Sequence, residues 1–316
     1  STLIAQRANY SIIFLIVFLK IRPTENDFFI ALRFCSILTV ILSIISIPYA
    51  DFFLSQGKYD SLKSRQLNGS TDFIAFKGGV ILFYMYFLIV LNKLYNNVTK
   101  NHLLEVLILF LLLVSFQNRS ILLISIPFLF YVIVSMKSKF KGLYWFFIIV
   151  LTSFSSYYLF SILENLLDET IEQVNNKDYS RWQAIDYYLF EIKSNLFTFL
   201  FGHGSPSAGG SYLIQIQNIM ESRFAILADI GILGSYYYYG VFFILIIYSF
   251  CFKALKKYQP LYLKFYAIYI ICVPTIQGFG NNSSSAAILF SMFFYMILYY
   301  RQIHKKNIKN QIKNAK

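Results

Sequence analysis

Apolar stretches of membrane-crossing length recur along most of this chain, and that recurrence restricts its possible folds more than any motif does. A hydrocarbon layer about 30 Å thick is crossed by about 20 apolar residues in a helix. Only helices and closed barrels satisfy their backbone groups in such a layer. The apolar runs are continuous, with no residue-by-residue alternation, which selects helices. Composition agrees, since 57% of the 316 residues are hydrophobic and 14% are charged, against roughly a quarter charged in soluble domains. The predicted fold is therefore all-α, a polytopic helical bundle in a membrane.

Nine spans are predicted, over residues 4–19, 28–50, 73–92, 103–116, 120–136, 143–163, 224–250, 262–276 and 286–300. They divide the chain into an N-terminal membrane part (1–163, about six spans), a large polar loop (164–223), a C-terminal membrane part (224–300, about three spans) and a basic tail (301–316). Seventeen lysines and arginines fall on the loops that share a side with the tail, and nine on the opposite side. Basic residues accumulate on the cytoplasmic side, so the tail is expected in the cytoplasm and 164–223 outside. The net charge of +13 is spread over short loops, not along one face, which points to a lipid bilayer as partner and away from nucleic acid. An odd number of spans places Ser1 outside, and Ser1 opens neither with methionine nor with a signal peptide. One or more upstream spans are therefore expected. Cys35, Cys251 and Cys272 lie in apolar runs without metal-ligand spacing, so neither a disulfide framework nor a zinc site is predicted.

The loop 164–223 holds more than half of the fifteen acidic residues. Within it Trp182, Ile185, Leu189, Ile192, Leu196 and Phe199 recur at helical period, which predicts one amphipathic helix. Asp178 or Ser180 would cap its start and Gly202 would end it. Such a helix either lies on the outer face of the bilayer or covers the bundle. A shorter helix is expected from Leu163 to Val174, so the loop reads as a folded lid. The turn from Gly202 to Gly210 lacks the lysine and hydroxyl residue of a nucleotide phosphate loop. In the last outer loop, 277–285, Asn281, Asn282 and Ser283 suit either a sugar site or an ordinary turn.

Three arginines on the outer side are the main candidates for chemistry: Arg119 at a tight turn between two spans, Arg181 opening the amphipathic helix, and Arg223 ending the loop. A guanidinium presents a planar fork to phosphate oxygens; alternatively each arginine snorkels to lipid headgroups. Glu221 and Asp229 flank the next span, as a general base or as partners for an arginine. His203 in the glycine turn suits acid–base work or plain exposure. Lys77 beside Gly78 and Gly79 is a further phosphate contact. No metal site or cofactor is expected.

Asn118-Arg119-Ser120 opening a span, Ser180-Arg181-Trp182 in a large outer loop, Leu200-Phe201-Gly202-His203-Gly204, and then Asp229-Ile230-Gly231-Ile232-Leu233-Gly234 occur in an order that resembles the Wzy-type O-antigen and capsular polysaccharide polymerases. The likeness covers roughly residues 100–300, and Arg223 and Gly234, ten residues apart, match an arginine–glycine spacing of some polymerases. The resemblance implies a GT-C-like fold and a metal-independent glycosyltransferase at the outer face of the bacterial plasma membrane. The donor and the acceptor would both be undecaprenyl-diphosphate-linked glycans, with a chain-length regulator and a flippase as further partners. Arg119, Arg181 and Arg223 would bind the diphosphate, and Arg181 and Arg223 would stabilise its departure. The related O-antigen ligases carry a histidine where this chain reads Met220-Glu221-Ser222-Arg223. That departure favours a polymerase and makes Glu221 the first choice of base, leaving His203 outside the family pattern. A lipid-linked glycan flippase is the competing expectation from another class, although the chain has no internal repeat.

Overall fold

The computed structural model describes residues 7–46, 62–67, 71–116, 119–135, 142, 171, 180–192, 195–204, 211–223, 230–272 and 284–314. The chain opens with α1 (Arg7–Ile21) and α2 (Glu25–Ser46). Between them Arg22 takes a positive φ of 56° and Pro23 has no N–H to continue the first helix. Thr24 then starts the second. Its N–H and hydroxyl donate to Asp27 Oδ2 at 2.7 and 2.8 Å, and the Asp27 N–H donates back to the Thr24 hydroxyl at 3.4 Å, a reciprocal cap.

A two-stranded antiparallel hairpin follows, β1 (Leu62–Leu67) and β2 (Thr71–Phe76), with Leu62 opposite Phe76 and Leu67 opposite Thr71. It departs from a purely helical chain and takes Phe73 to Phe76 out of the predicted third span. The aromatic and β-branched residues of Thr71-Asp72-Phe73-Ile74-Ala75-Phe76 suit a pleated strand. The helix α3 (Lys77–Asn96) therefore starts and ends later than the hydropathy pattern places it. Next come α4 (Lys100–Ser115), α5 (Arg119–Ser135), a short α6 (Ser180–Ile185) that runs into a π-helical turn (Asp186–Glu191), and α7 (Leu196–Phe201). The set closes with α8 (Ser211–Arg223), α9 (Ile232–Ala254), α10 (Leu261–Cys272) and α11 (Ser284–Asn314). The helix α11 runs on from the apolar segment into the basic tail, through Asn314.

Three described helices are long and apolar enough to cross a membrane: Glu25–Ile45, Gly79–Asn96 and Ile232–Ala254; Ile121–Ser135 and Leu261–Cys272 are apolar but shorter. The sixth predicted span, 143–163, lies outside the described residues, as do most of the Leu163–Val174 helix and the loop 277–285. Within the seventh, 224–250, the described helix runs Ile232–Ala254; residues 224–229, Asp229 among them, are outside the description.

The helix α3 is the axis of the bundle, packed against α2, α4, α5, α10 and α11. It is buried on all sides, with Tyr84, Met85, Phe87, Leu88, Val90 and Leu91 all at 0% exposure. On the α2 side the fit depends on small groups. Ser36, Thr39 and Ser43 are buried on one stripe of α2, and a Cβ at Gly79 would collide with the Thr39 side chain. The Ser36 and Thr39 hydroxyls donate to the carbonyls of Leu32 and Cys35 at 2.7 and 2.8 Å. Small residues with self-satisfied hydroxyls let apolar helices approach closely. The buried Asn92 Oδ1 accepts the Leu261 N–H at 3.0 Å, so α3 caps the start of α10. Gln259 Nε2 donates to the Ile297 carbonyl at 3.1 Å, joining the α9–α10 turn to α11.

Apolar side chains also cover the outside. On α2, Ile30, Phe34, Ile37, Ile41 and Ile44 point outward, Phe34 at 68% exposure. A contiguous apolar exterior of this kind is costly in water and natural against lipid, where helices hold together by packing.

Candidate functional site

The loop meets the bundle at a break in α9. Gly240, inside that helix, has φ 75° and ψ −179°. Gly202, which ends α7, has φ 79° and ψ 177°. Both values fall in a region that is essentially glycine-only. The two glycines face each other's backbones: a Cβ on Gly202 would run into the Tyr238 carbonyl, and one on Gly240 into the Leu200 carbonyl. Two helices are thus in backbone contact where neither carries a side chain.

Two hydrogen bonds fix the contact. The His203 N–H donates to the Tyr237 carbonyl at 2.8 Å and the Gly204 N–H to the Tyr238 carbonyl at 3.0 Å. In an unbroken helix those carbonyls would take the N–H groups of Val241 and Phe242, just beyond the kink. The glycine turn thus supplies donors to a helix whose own ladder is interrupted, which is the condition for irregular backbone at membrane depth.

Aromatic rings fill the space around this latch. His203 stacks on Tyr237 with centroids 4.4 Å apart and planes 15° from parallel. Tyr188 packs edge-on to Tyr237 at 4.8 Å, and Tyr187 edge-on to Tyr188 at 5.1 Å. The Tyr212 hydroxyl donates to that of Tyr237 at 3.3 Å, long for a hydroxyl pair. Together with Ala184, Ile216, Ile230 and Tyr238 these form a second core, distinct from that of the bundle. Burial lowers the basicity of the His203 imidazole from the usual value of 6.5. It also raises the Tyr188 and Tyr212 phenols, helped by Tyr238 beside Tyr188 and by the Tyr237 hydroxyl bonded to Tyr212. Near neutral pH the imidazole is therefore uncharged and the two phenols keep their protons.

The predicted amphipathic helix is two helices. After the π-helical turn, Ile192 becomes extended at ψ 115°, and Asn195 starts α7 by accepting the Thr198 N–H on Oδ1 at 2.8 Å. Gly202 does end α7. The expected greasy face is only partly covered: Ile185 and Ile192 pack half-buried against the second core beside the buried Ala184 and Tyr188, while Trp182, Leu196 and Phe199 stay exposed. The π-helical turn shifts the buried stripe off the 3.6-residue period, because each of its residues turns through a smaller angle.

Of the predicted site residues, His203 is the one the structure surrounds with described contacts. Arg119 and Lys77 are the first residues of α5 and α3, Arg181 the second of α6, and Glu221 and Arg223 stand in the last turn of α8. Their side chains, like Asp229, lie outside the description. Among the described residues no three His, Cys, Asp or Glu side chains group as a metal site would need. Sequence reasoning missed Gly240 and the tyrosines Tyr188, Tyr212, Tyr237 and Tyr238. The signal was present in Tyr236-Tyr237-Tyr238-Tyr239-Gly240, four phenols and a glycine in the middle of an apolar run. No known protein family, curated protein or solved structure matches the chain.

Proposed function

We propose that the chain is a membrane glycosyltransferase that polymerises lipid-linked glycans, with the polar loop and the break in α9 forming its site. In this reading nine spans cross the bacterial plasma membrane, with the loop outside and the tail in the cytoplasm. The observation that carries the proposal is the latch of Gly202, His203 and Gly204 on an interrupted apolar helix. Interrupted helices in membrane proteins mark substrate sites, because broken backbone is tolerated where it lines a cavity or packs on protein. An aromatic surface with a few polar tips suits an amphipathic sugar.

The cations lend support by position. Lys77 and Arg119 are the first residues of their helices and Arg181 the second of its own, where the helix dipole is positive and a cation costs about 0.3–1 kcal/mol. An anion in front of those ends turns the cost into attraction. A prenyl diphosphate is such an anion. In the proposed reaction the sugar C1–O bond to the diphosphate breaks as the non-reducing-end hydroxyl of a second lipid-linked glycan attacks C1. The hydroxyl proton passes to Glu221 or to the neutral imidazole of His203. The arginines take up the charge on the departing diphosphate.

Replacing Arg119, Arg181 and Arg223 singly by alanine, in a strain that depends on this protein for its polymer, is expected to shorten the polymer at each position. Full-length polymer from all three variants refutes the mechanism. Comparing Glu221→Gln with His203→Ala assigns the base by which of them abolishes chain growth. The break in α9 also favours a second reading, a flippase for lipid-linked glycans, since transporters use discontinuous helices. Polymer made by the purified protein from lipid-linked repeat units decides for the enzyme; substrate accumulating on the inner leaflet when the protein is lost decides for the flippase.

A further inference from the structure

A second polar feature lies at a bundle end remote from the latch. The start of α2, the end of α3 and the start of α4 meet there because the three helices run alternately up and down, α2 packed on α3 and α3 on α4. Between them is an open cleft of about 290 Å³ lined by Glu25, Asn92, Lys93, Asn96, Asn97 and His102 among others. Its chemistry is specific. The Lys93 ammonium lies over the Phe29 ring, 2.9 Å from the centroid, so the ring fixes the cation at the wall of the cleft. Asn92 has committed its Oδ1 to the Leu261 N–H, which leaves its amide hydrogens as donors. His102 is held by its Nδ1, 3.0 Å from the Asn97 carbonyl oxygen, so Nδ1 carries a proton. Glu25 accepts the Tyr300 hydroxyl on Oε2, and its carboxylate also interacts with the Tyr262 hydroxyl.

The cleft thus offers one cation and several amide donors on the α3 side, and a carboxylate oxygen on the α2 side. The donor side matches phosphate oxygens. The carboxylate calls for a donor or a positive charge attached to that phosphate. A bare anion would leave Glu25 repelled, and a bare cation would leave Lys93 repelled. The surroundings are basic, with Lys20 and Arg22 just before Glu25 and Arg301 next to Tyr300, which concentrates anionic groups at this end.

We propose that this cleft is a binding site for a phosphoethanolamine group, its phosphate on Lys93 and the asparagine amides and its ammonium on Glu25. The group arrives either as the headgroup of a bilayer lipid or as a soluble phosphodiester. The two sources share this chemistry and differ only in their acyl chains. The assignment is independent of the glycosyl-transfer reading and involves none of its residues.

The test uses the purified full chain in detergent. Palmitoyl-oleoyl phosphatidylethanolamine, the matching phosphatidylglycerol and soluble glycerophosphoethanolamine are titrated separately and bound adducts are counted by native mass spectrometry. Wild type is expected to retain phosphatidylethanolamine in preference to phosphatidylglycerol. Lys93→Met removes a charged hydrogen-bond donor and should lower retention about tenfold. Glu25→Gln, whose amide oxygen still accepts from Tyr300, should erase the preference between the two lipids. Lys100→Met, a loss of the same charge at the same end outside the cleft lining, should change neither. Adducts with the lipid alone assign a bilayer source; adducts with glycerophosphoethanolamine that share the same sensitivity assign a soluble one. If Lys93→Met does not fold, Asn96→Leu removes an exposed donor from the same wall and should weaken retention in the same direction. Retention within about twofold of wild type in the folded variants, or equal loss in Lys100→Met, overturns the proposal.

Discussion

The molecule turns on single residues at the latch. Gly202 and Gly240 adopt backbone angles closed to other residues, at about 1–3 kcal/mol each for alanine, and the added methyl would also meet carbonyl groups. Gly202→Ala or Gly240→Ala should release the loop while leaving the main bundle folded. The expected readout is faster amide exchange at His203 and Gly204, the two donors of the latch, with α3 amides unchanged. Native protection at those amides in both variants would show that the latch does not depend on the glycines. His203 adds a pH dependence. Its imidazole is less basic folded than free, with 6.5 as the free value, so the unfolded state binds more protons as pH falls. Docking of the loop is therefore complete above about pH 6.5 and weakens progressively below it. His203→Phe keeps a ring on Tyr237 and should flatten the response of loop proteolysis to pH.

At the scale of elements, the cross-chain cap at α10 is the most exposed to test. Asn92 satisfies an N–H at the head of a helix far along the chain, and loss of that partner leaves a buried donor, costing about 1–3 kcal/mol. Asn92→Leu is expected to lower the thermal midpoint and to speed amide exchange first at Leu261. An exposed polar change on α11, such as Asn307→Ala, should do neither. The elements also show where hydropathy is a reliable guide. The apolar segments predicted as spans two, four, five and eight are helical, as α2, α4, α5 and α10, with their starts shifted by three residues or fewer, because an apolar segment with few prolines and glycines has few alternatives to a helix; Pro127 is accommodated inside α5. The exceptions are local. The hairpin forms where β-branched and aromatic residues precede Lys77, and the amphipathic run splits at Ile192, since a period of 3.6 does not register a π-helical turn.

At the scale of the whole molecule, the helices surround α3 and present isoleucine, leucine and phenylalanine outward, so they pack on one another at a small-residue stripe and a few polar pins. Gly79→Val should force α2 away from α3 at Thr39. A cysteine pair at Cys35 and a new cysteine on α3 would measure the separation by cross-linking, with undiminished cross-linking as the contrary result. The orientation inferred from the basic loops has its own test. A cysteine at Lys100 or Lys256 should be shielded from a membrane-impermeant thiol reagent in intact cells, and one at Ser205 should react. The opposite pattern inverts the topology.

The linear order of residues was enough to establish apolar helices, their approximate ends and a polar interval between them, because burial in lipid or protein is a property each segment carries in its own composition. It also indicated the cations of the proposed chemistry by type. What only the tertiary structure decided is the break at Gly240 and the docking of Gly202, His203 and Gly204 onto it. Those hydrogen bonds join backbones more than thirty residues apart, and a backbone donor or acceptor has the same identity in every residue except proline. No pattern of side chains, read along the chain, specifies which N–H will reach which carbonyl.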